Sequence, residues 1–142
     1  MTRRYLLDSG SAEDWMRGHA NTIARADAVA ARGAIIGTCL PIVGELWFGV
    51  EKSHETRDRN APRLARTLSR WTLWPFSEVA AEEFGRLRAL LKRIGRPMQL
   101  VDIQLAAVAL ALGNTTVVSK DSDLFAVPGL SVEDWSLEVP SP

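Results

Sequence analysis

Short apolar runs of strand length alternate along this chain with longer stretches whose apolar residues recur every three or four positions, the pattern of repeated βα units around a parallel sheet. A first strand is predicted over 4–7. It ends at Asp8, where Ser9, Gly10 and Ser11 offer turn and cap chemistry for a short helix around 14–17. A second helix follows near 22–31 and stops at Gly33. The apolar run 34–38 predicts a strand buried on both faces, and Pro41 opens the next helix. One side of that helix carries Ile42, Leu46 and Val50, while Glu45 falls in its first turns, beside the carboxyl end of the second strand. Charged residues over 51–60 mark a solvated loop or a helix start.

Residues 62–70 have helical character, and 71–74 form a short aromatic strand closed by Pro75. Ser77 is placed to cap a long helix in which Phe84, Leu87, Leu90, Leu91 and Ile94 make an apolar face opposite Glu83, Arg86, Lys92 and Arg93; Gly95 and Pro97 end it. The segment 100–112 is apolar on nearly all sides except at Asp102 and Gln104, and its alanines allow close packing on a sheet. Gly113 and Asn114 terminate it. A buried strand over 115–118, a polar loop over 119–123 and an edge strand over 132–135 complete the order. The expected class is α/β, a three-layer fold with a mostly parallel sheet of four or five strands flanked by helices. One domain is expected over 1–137, with a frayed tail over 138–142.

Composition changes little in this picture. The chain has 142 residues, 46% of them hydrophobic and 24% charged, which suits one folded globular unit and excludes a disordered polyelectrolyte. Seventeen basic residues balance seventeen acidic ones, so contact with a polyanion must come from local patches rather than net charge. The lone Cys39 lies in an apolar run and has no partner for a bridge within the chain, which fits a reducing cytoplasm. The apolar stretch before Asp8 is too short for a signal-peptide core, and the most apolar segment, 105–112, is far below the roughly 20 residues needed to span a bilayer. It is expected to be a buried helix.

In an open parallel sheet, ligands bind outside the carboxyl ends of the strands near the point where strand order reverses. Asp8, Glu45 and Asp121 all follow predicted strands, and Asp102 joins them if its helix begins at the same edge. Singly, Asp8 reads equally as a turn residue, Asp102 as a partner of the helix dipole, and Asp121 or Asp123 as a loop cap. Glu45, between Val43 and Leu46, is harder to explain that way, because an unpaired carboxylate in an apolar setting is costly. Hard oxygen donors without histidine or cysteine favour Mg²⁺ or Mn²⁺ over zinc.

The segment Arg4-Tyr5-Leu6-Leu7-Asp8-Ser9-Gly10 resembles the opening strand of PIN-domain nucleases, especially the VapC-type toxins of bacterial toxin-antitoxin pairs. The stretch from Pro41 through Glu45 and Leu46 to Gly49 resembles their second motif, and the stretch from Gln99 through Asp102 to Ala109 their third. Ser119-Lys120-Asp121-Ser122-Asp123-Leu124-Phe125, with Val127-Pro128-Gly129-Leu130 and Glu133-Asp134-Trp135, resembles the closing signature. The likeness covers essentially the whole chain. It implies that Asp8, Glu45, Asp102 and Asp121 are catalytic metal-site acids, with Asp123 a weaker fifth and with Ser9 and Ser119 in support. Ser9 keeps the hydroxyl of the threonine usual in that family, whereas Gly10 removes the polar side chain of the asparagine often found there. The implied activity is Mg²⁺- or Mn²⁺-dependent RNA cleavage by an activated water, with in-line displacement at phosphorus. Structured RNAs such as transfer or ribosomal RNA are the implied substrates. A cognate antitoxin and a second copy of the chain in a homodimer are the implied protein partners, with no membrane association.

Other features have two readings each. Arg59, Arg63, Arg66 and Arg70 would line one side of a helix, either as a solvated face or as a track for RNA. Trp47, Trp71 and Trp74 are expected in core or subunit packing rather than base stacking, and His19 and His54 at the surface. Lys120 either contacts a phosphate or neutralises part of the acidic pocket. Two other functions compete with nuclease activity. One is an inactive PIN-fold module that binds RNA or protein, which only Gly10 favours. The other is a phosphoacceptor domain, which fits poorly because Asp8 is followed by Ser9 and Gly10 rather than by a second acid.

Overall fold

Leu6, Leu7, Val117 and Val118 are completely buried, as strands covered on both faces require, and they lie at the centre of the sheet. The computed structural model describes residues 2–138. Its sheet contains β1 (Arg4–Leu7), β2 (Ile35–Cys39), β3 (Thr72–Trp74), β4 (Thr115–Val118) and β5 (Ser131–Glu133), all parallel, in the order β3-β2-β1-β4-β5. Helices α1 (Ser9–Met16) and α2 (Ala20–Ala31) connect β1 to β2, and α3 (Leu40–Glu51) and α4 (Arg57–Ser69) connect β2 to β3. The chain then crosses back through α5 (Glu78–Arg93) and α6 (Leu100–Leu112) to β4, and the short α7 (Ser122–Phe125) leads to β5. Strand order therefore reverses at β1, which has β2 on one side and β4 on the other. The carboxyl ends of β1 and β4 flank the switch point where α/β sheets form their crevice.

The expected α/β class and parallel sheet match this architecture, with informative differences in detail. Helix α1 begins at Ser9 rather than near residue 14, because Asp8 itself is the N-cap. Helix α4 begins at Arg57, five residues before Pro62, because the Thr56 carbonyl already accepts the Arg59 and Asn60 N–H groups and starts the helix upstream. Part of the predicted polar loop after β4 winds into α7. Strand β5 stops at Glu133 because Trp135 turns into the core, its ring 5.3 Å from that of Tyr5.

Helix α6 buries Ile103, Leu105, Ala106, Ala107, Val108 and Ala109, and its small side chains let it lie close against β4 and α5. It ends at Gly113 (φ 66°) and Asn114 (φ 47°), the two residues that turn the chain directly into β4. Burial pushes the free Cys39 thiol up to about 11, so it is an inert core group at neutral pH. Trp71 and Trp74 are buried and Trp47 is half-buried against the core, in line with a packing role. His19 and His54 are exposed, and His19 Nδ1 accepts the Thr22 N–H at 3.4 Å as a weak cap on α2. From residue 139 onward the expected tail lies outside the described residues. Among the described residues, no helix is long and apolar enough to cross a membrane.

Backbone approach at one strand pair leaves no room for a side chain. A Cβ on Gly37 would sit 1.9 Å from the Thr72 carbonyl oxygen across the β2–β3 pairing. Gly85, by contrast, is exposed within α5 with nothing near its Cβ position. Gly37→Ala is expected to cost about 2–3 kcal/mol by forcing backbone shifts, and Gly85→Ala to add roughly 0.5–1 kcal/mol through helix propensity. Urea denaturation of both variants checks the opposite signs.

Candidate functional site

The site is assembled from helix starts and strand ends at one edge of the sheet. Asp8 ends β1 and caps α1: its Oδ1 accepts the Ser11 N–H at 2.8 Å, while its own N–H donates to the Val118 carbonyl at 3.1 Å. Directly after β4, the completely buried Ser119 donates its hydroxyl to Asp8 Oδ2 at 2.6 Å and accepts the Asp121 N–H at 2.9 Å. One side chain thus ties together the two loops on either side of the switch point. Asp121 caps α7, with Oδ1 accepting the Asp123 N–H at 2.9 Å. Asp123 Oδ1 lies 3.5 Å from Arg96 Nη2.

Asp102 reaches the same edge from the opposite direction. Because α6 turns into β4 through two residues, it runs antiparallel to the strands and its first turn lies toward their carboxyl ends. Burial first, and then the negative charges of Asp121, Asp8, Asp123 and Glu45 in that order, together push the half-buried Asp102 carboxyl from its ordinary 3.8 up to about 6. All five candidate acids therefore share one electrostatic neighbourhood.

Glu45 is the one whose local setting differs from expectation. It is exposed rather than held in an apolar environment, because the period of α3 turns Ile42, Leu46 and Val50 inward and Glu45 outward. It contributes charge from the rim. Among the described residues, no three carboxylate, imidazole or thiol groups converge closely enough to hold an ion as they stand. Asp8, Asp121 and Asp123 are instead engaged by backbone N–H groups, Ser119 and Arg96. The donor set still fits a hard divalent cation. It is all oxygen, and the charge crowding that disfavours ionised Asp102 is what a cation would relieve.

Supporting residues divide in the same way. Ser119 bridges the acids, whereas Ser9, half-buried in the first turn of α1, makes no side-chain hydrogen bond among the described residues. Lys120 turns away from its neighbours Ser119 and Asp121 and donates to Asp14 Oδ2 at 2.9 Å, so its ammonium is engaged by a buried carboxylate on α1. Asp14 was not singled out in the sequence. Its signal was weak, one of two adjacent acids on a short helix next to Trp15. Thr38 was also passed over; its buried hydroxyl donates to the Leu7 carbonyl at 2.6 Å and joins β2 to β1 just before Asp8. Of the arginine stripe, Arg63 donates to the Met16 carbonyl, while Arg59, Arg66 and Arg70 are exposed.

The chain is thus an α/β protein with a parallel sheet whose switch point, where such folds bind their ligands, is bordered by carboxylates. The chain belongs to the PIN-domain family, whose model matches residues 5–130. It is 35% identical over 92 residues to the tRNA(fMet)-specific endonuclease VapC of Shigella flexneri, a match covering 65% of this chain and 69% of that protein. Its fold aligns with that of DNA-bound VapBC from Salmonella typhimurium at a TM-score of 0.84 and 26% identity, over 95% of this chain and 99% of the other. VapBC-5 of Mycobacterium tuberculosis, from the VapBC family of toxin-antitoxin systems, aligns at a TM-score of 0.58 and 30% identity, over 73% and 82%.

The raised Asp102 carboxyl makes stability depend on pH. Folded Asp102 binds its proton more tightly than the unfolded chain does, so its contribution to stability falls as pH rises from about 4 to about 6 and stays low above that. In chelator at pH 7.5, Asp102→Asn is expected to raise Tm by roughly 2–4 °C, after discounting for the group's partial exposure. At pH 4 the two proteins should melt together. Differential scanning calorimetry at both pH values checks this, and equal shifts at both would contradict the assigned cause.

Proposed function

We propose that this chain is a divalent-metal-dependent endoribonuclease acting in the cytoplasm as the toxin of a toxin-antitoxin pair. The observation that carries the proposal is the Ser119 hydroxyl holding Asp8 at the end of β1 and the Asp121 backbone after β4 as one unit, with Asp102 entering the same carboxylate field from α6. Asp8, Asp102, Asp121 and Glu45 would hold Mg²⁺ or Mn²⁺, with Asp123 a weaker ligand. When bound, such an ion supplies positive charge to a phosphate oxygen and makes water a better nucleophile.

The chain's own groups do the rest. Ser119 fixes the direction of Asp8 and leaves Asp8 no freedom to rotate into a purely capping position. Asp121 or Asp123 orients the attacking water. Lys120 is held by Asp14 and acts by pinning the loop rather than by meeting a phosphate. Ser9 supports the first motif from the start of α1.

The RNA substrate is drawn from the relative's name: transfer RNA comes first, with initiator tRNA the direct choice for assay, and ribosomal RNA second. The antitoxin follows from the VapBC relatives. A groove of about 270 Å³ between α1, α3 and α4, floored by Met16, Leu46, Val50 and Leu64, supports a protein partner, as does Phe48, 63% exposed on α3. A homodimer completes the proposed assembly.

Asp8→Asn is expected to lower RNA cleavage at least about 100-fold, as loss of a core ligand should, while leaving circular dichroism and gel-filtration behaviour unchanged. Wild-type cleavage of total cellular RNA and of initiator tRNA should appear with Mg²⁺ or Mn²⁺ and vanish with chelator. Full activity of Asp8→Asn, or metal-independent cutting, would sink the proposed mechanism. A wild type that binds RNA without cutting it would favour an interaction module instead.

A further inference from the structure

The candidate site leaves one strongly charged surface unused. Between residues 84 and 101 the chain carries five basic residues, Arg86, Arg88, Lys92, Arg93 and Arg96, and no acidic one, in a protein whose charges balance only over its full length. Arg86 is neutralised by Glu83 at 2.6 Å. Arg88 and Lys92 form no ion pair among the described residues and lie four apart on one flank of α5, beside its buried Leu87 and Leu91. Together with Arg96 they rim a groove of about 410 Å³ between α5 and the start of α6. The groove's floor is apolar, made by Leu91, Met98 and the half-exposed Leu100.

The groove opens onto the acidic site. Arg96 faces both, since its guanidinium reaches Asp123 at only 3.5 Å with both side chains nearly half exposed. Leu100 and Ile103, which also line the groove, bracket Asp102 on α6.

We propose that this groove binds single-stranded RNA beside the scissile bond, with phosphates on Arg88, Lys92 and Arg96 and a base on the apolar floor; the inference rests on the nuclease function proposed above. Charge complementarity selects the occupant. A polyanion approaching five carboxylates is repelled, and the adjacent Arg88 and Lys92, without ion pairs among the described residues, offset that repulsion where the strand must enter, as does Arg96 with its long, exposed contact to Asp123. An apolar floor under a cationic rim suits an unstacked base more than a duplex, whose bases are hidden. A second copy of the chain related by a two-fold axis through this face would set Arg88 and Lys92 against their own equivalents. The arginine stripe on α4 is a weaker candidate. Arg63 is engaged by the Met16 carbonyl, and among the described residues no hydrogen bond or ion pair joins that stripe to the acids.

The test compares the full-length wild type with Arg88→Glu/Lys92→Glu, with the neutral Arg88→Gln/Lys92→Gln, and with Arg59→Glu/Arg66→Glu on α4. Fluorescence anisotropy with a labelled 20-nucleotide unstructured RNA in chelator reads binding, and Mn²⁺-dependent cleavage of the same RNA reads KM and kcat. Charge reversal on α5 is expected to weaken binding at least about 10-fold and to lower the slope of log affinity against log salt by about 1.4, from two lost phosphate contacts on a single strand. KM should rise in parallel with kcat changed less than about twofold. The neutral pair should show a smaller loss in the same direction, and the α4 pair a smaller loss than the α5 reversal. A wild type that cleaves RNA while the α5 reversal leaves affinity and KM unchanged overturns the groove alone. Unchanged RNA affinity with loss of self-association in sedimentation overturns it in favour of a second copy on this face. A wild type that neither binds nor cleaves RNA overturns the nuclease function and the groove together.

Discussion

Five carboxylates share one sheet edge, and the surrounding structure is arranged to tolerate their mutual repulsion. Four of them stand where a helix begins: Asp8 caps α1, Asp121 caps α7 with Asp123 in its first turn, and Asp102 lies in the first turn of α6. Helix starts expose unpaired N–H groups and carry partial positive charge, so each offers a carboxylate some of what a cation would give. Asp8 and Asp121 accept N–H bonds of this kind. Asp102 accepts none among the described residues, and it is the acid whose ionisation is opposed by burial and by its neighbours. The edge is therefore compensated at its sides and left short of positive charge near Asp102.

Capping is the role that the fold displays for Asp8 and Asp121, and ligation is the proposed one. Asp8 was legible either as a turn residue or as a ligand, and in the fold its Oδ1 serves the cap while Oδ2 meets Ser119. The strands around the switch point were legible because buried parallel strands are short continuous apolar runs, as in β1 and β4, whose limits fall where the sequence places them. Helix starts were less legible. The beginning of α1 depended on recognising that the last polar residue of a strand loop was also a cap, and the start of α4 was hidden behind Pro62, which reads as a first-turn residue but sits in the second turn.

Glu45 and Asp14 exchange the roles their surroundings implied. Glu45, flanked by apolar residues in sequence, is exposed, because helical period rather than adjacency decides which residues face the core. Asp14, in a polar stretch, is buried and holds Lys120. Neither outcome is available from local composition, since each depends on which helix face meets a neighbour. The Asp14–Lys120 contact spans 106 residues, and no local pattern announces such a pair. Its structural consequence is clear even so: with Ser119 fastened to Asp8 and Lys120 fastened to α1, consecutive residues of one loop are anchored in different directions, and Asp121 follows with little room to move.

A neutral net charge then acquires a specific meaning. Equal numbers of acids and bases give no long-range attraction to RNA, so steering at a distance is weak and recognition depends on charges segregated over a few ångströms. Acids gather at the switch point, while the C-terminal half of α5 and the loop after it carry bases alone. The two regions meet at Arg96 and Asp123, which are too far apart and too exposed for a strong ion pair. A weak pair at that boundary costs little to separate, as the proposed cation at the carboxylate and phosphate at the guanidinium would require. Gly10 lies at the same edge, and a Cβ there would have only Asp8 Oδ1 for company, at 3.8 Å. The backbone does not require glycine at that position, so the missing side chain beside Asp8 is a property of the site rather than of the fold.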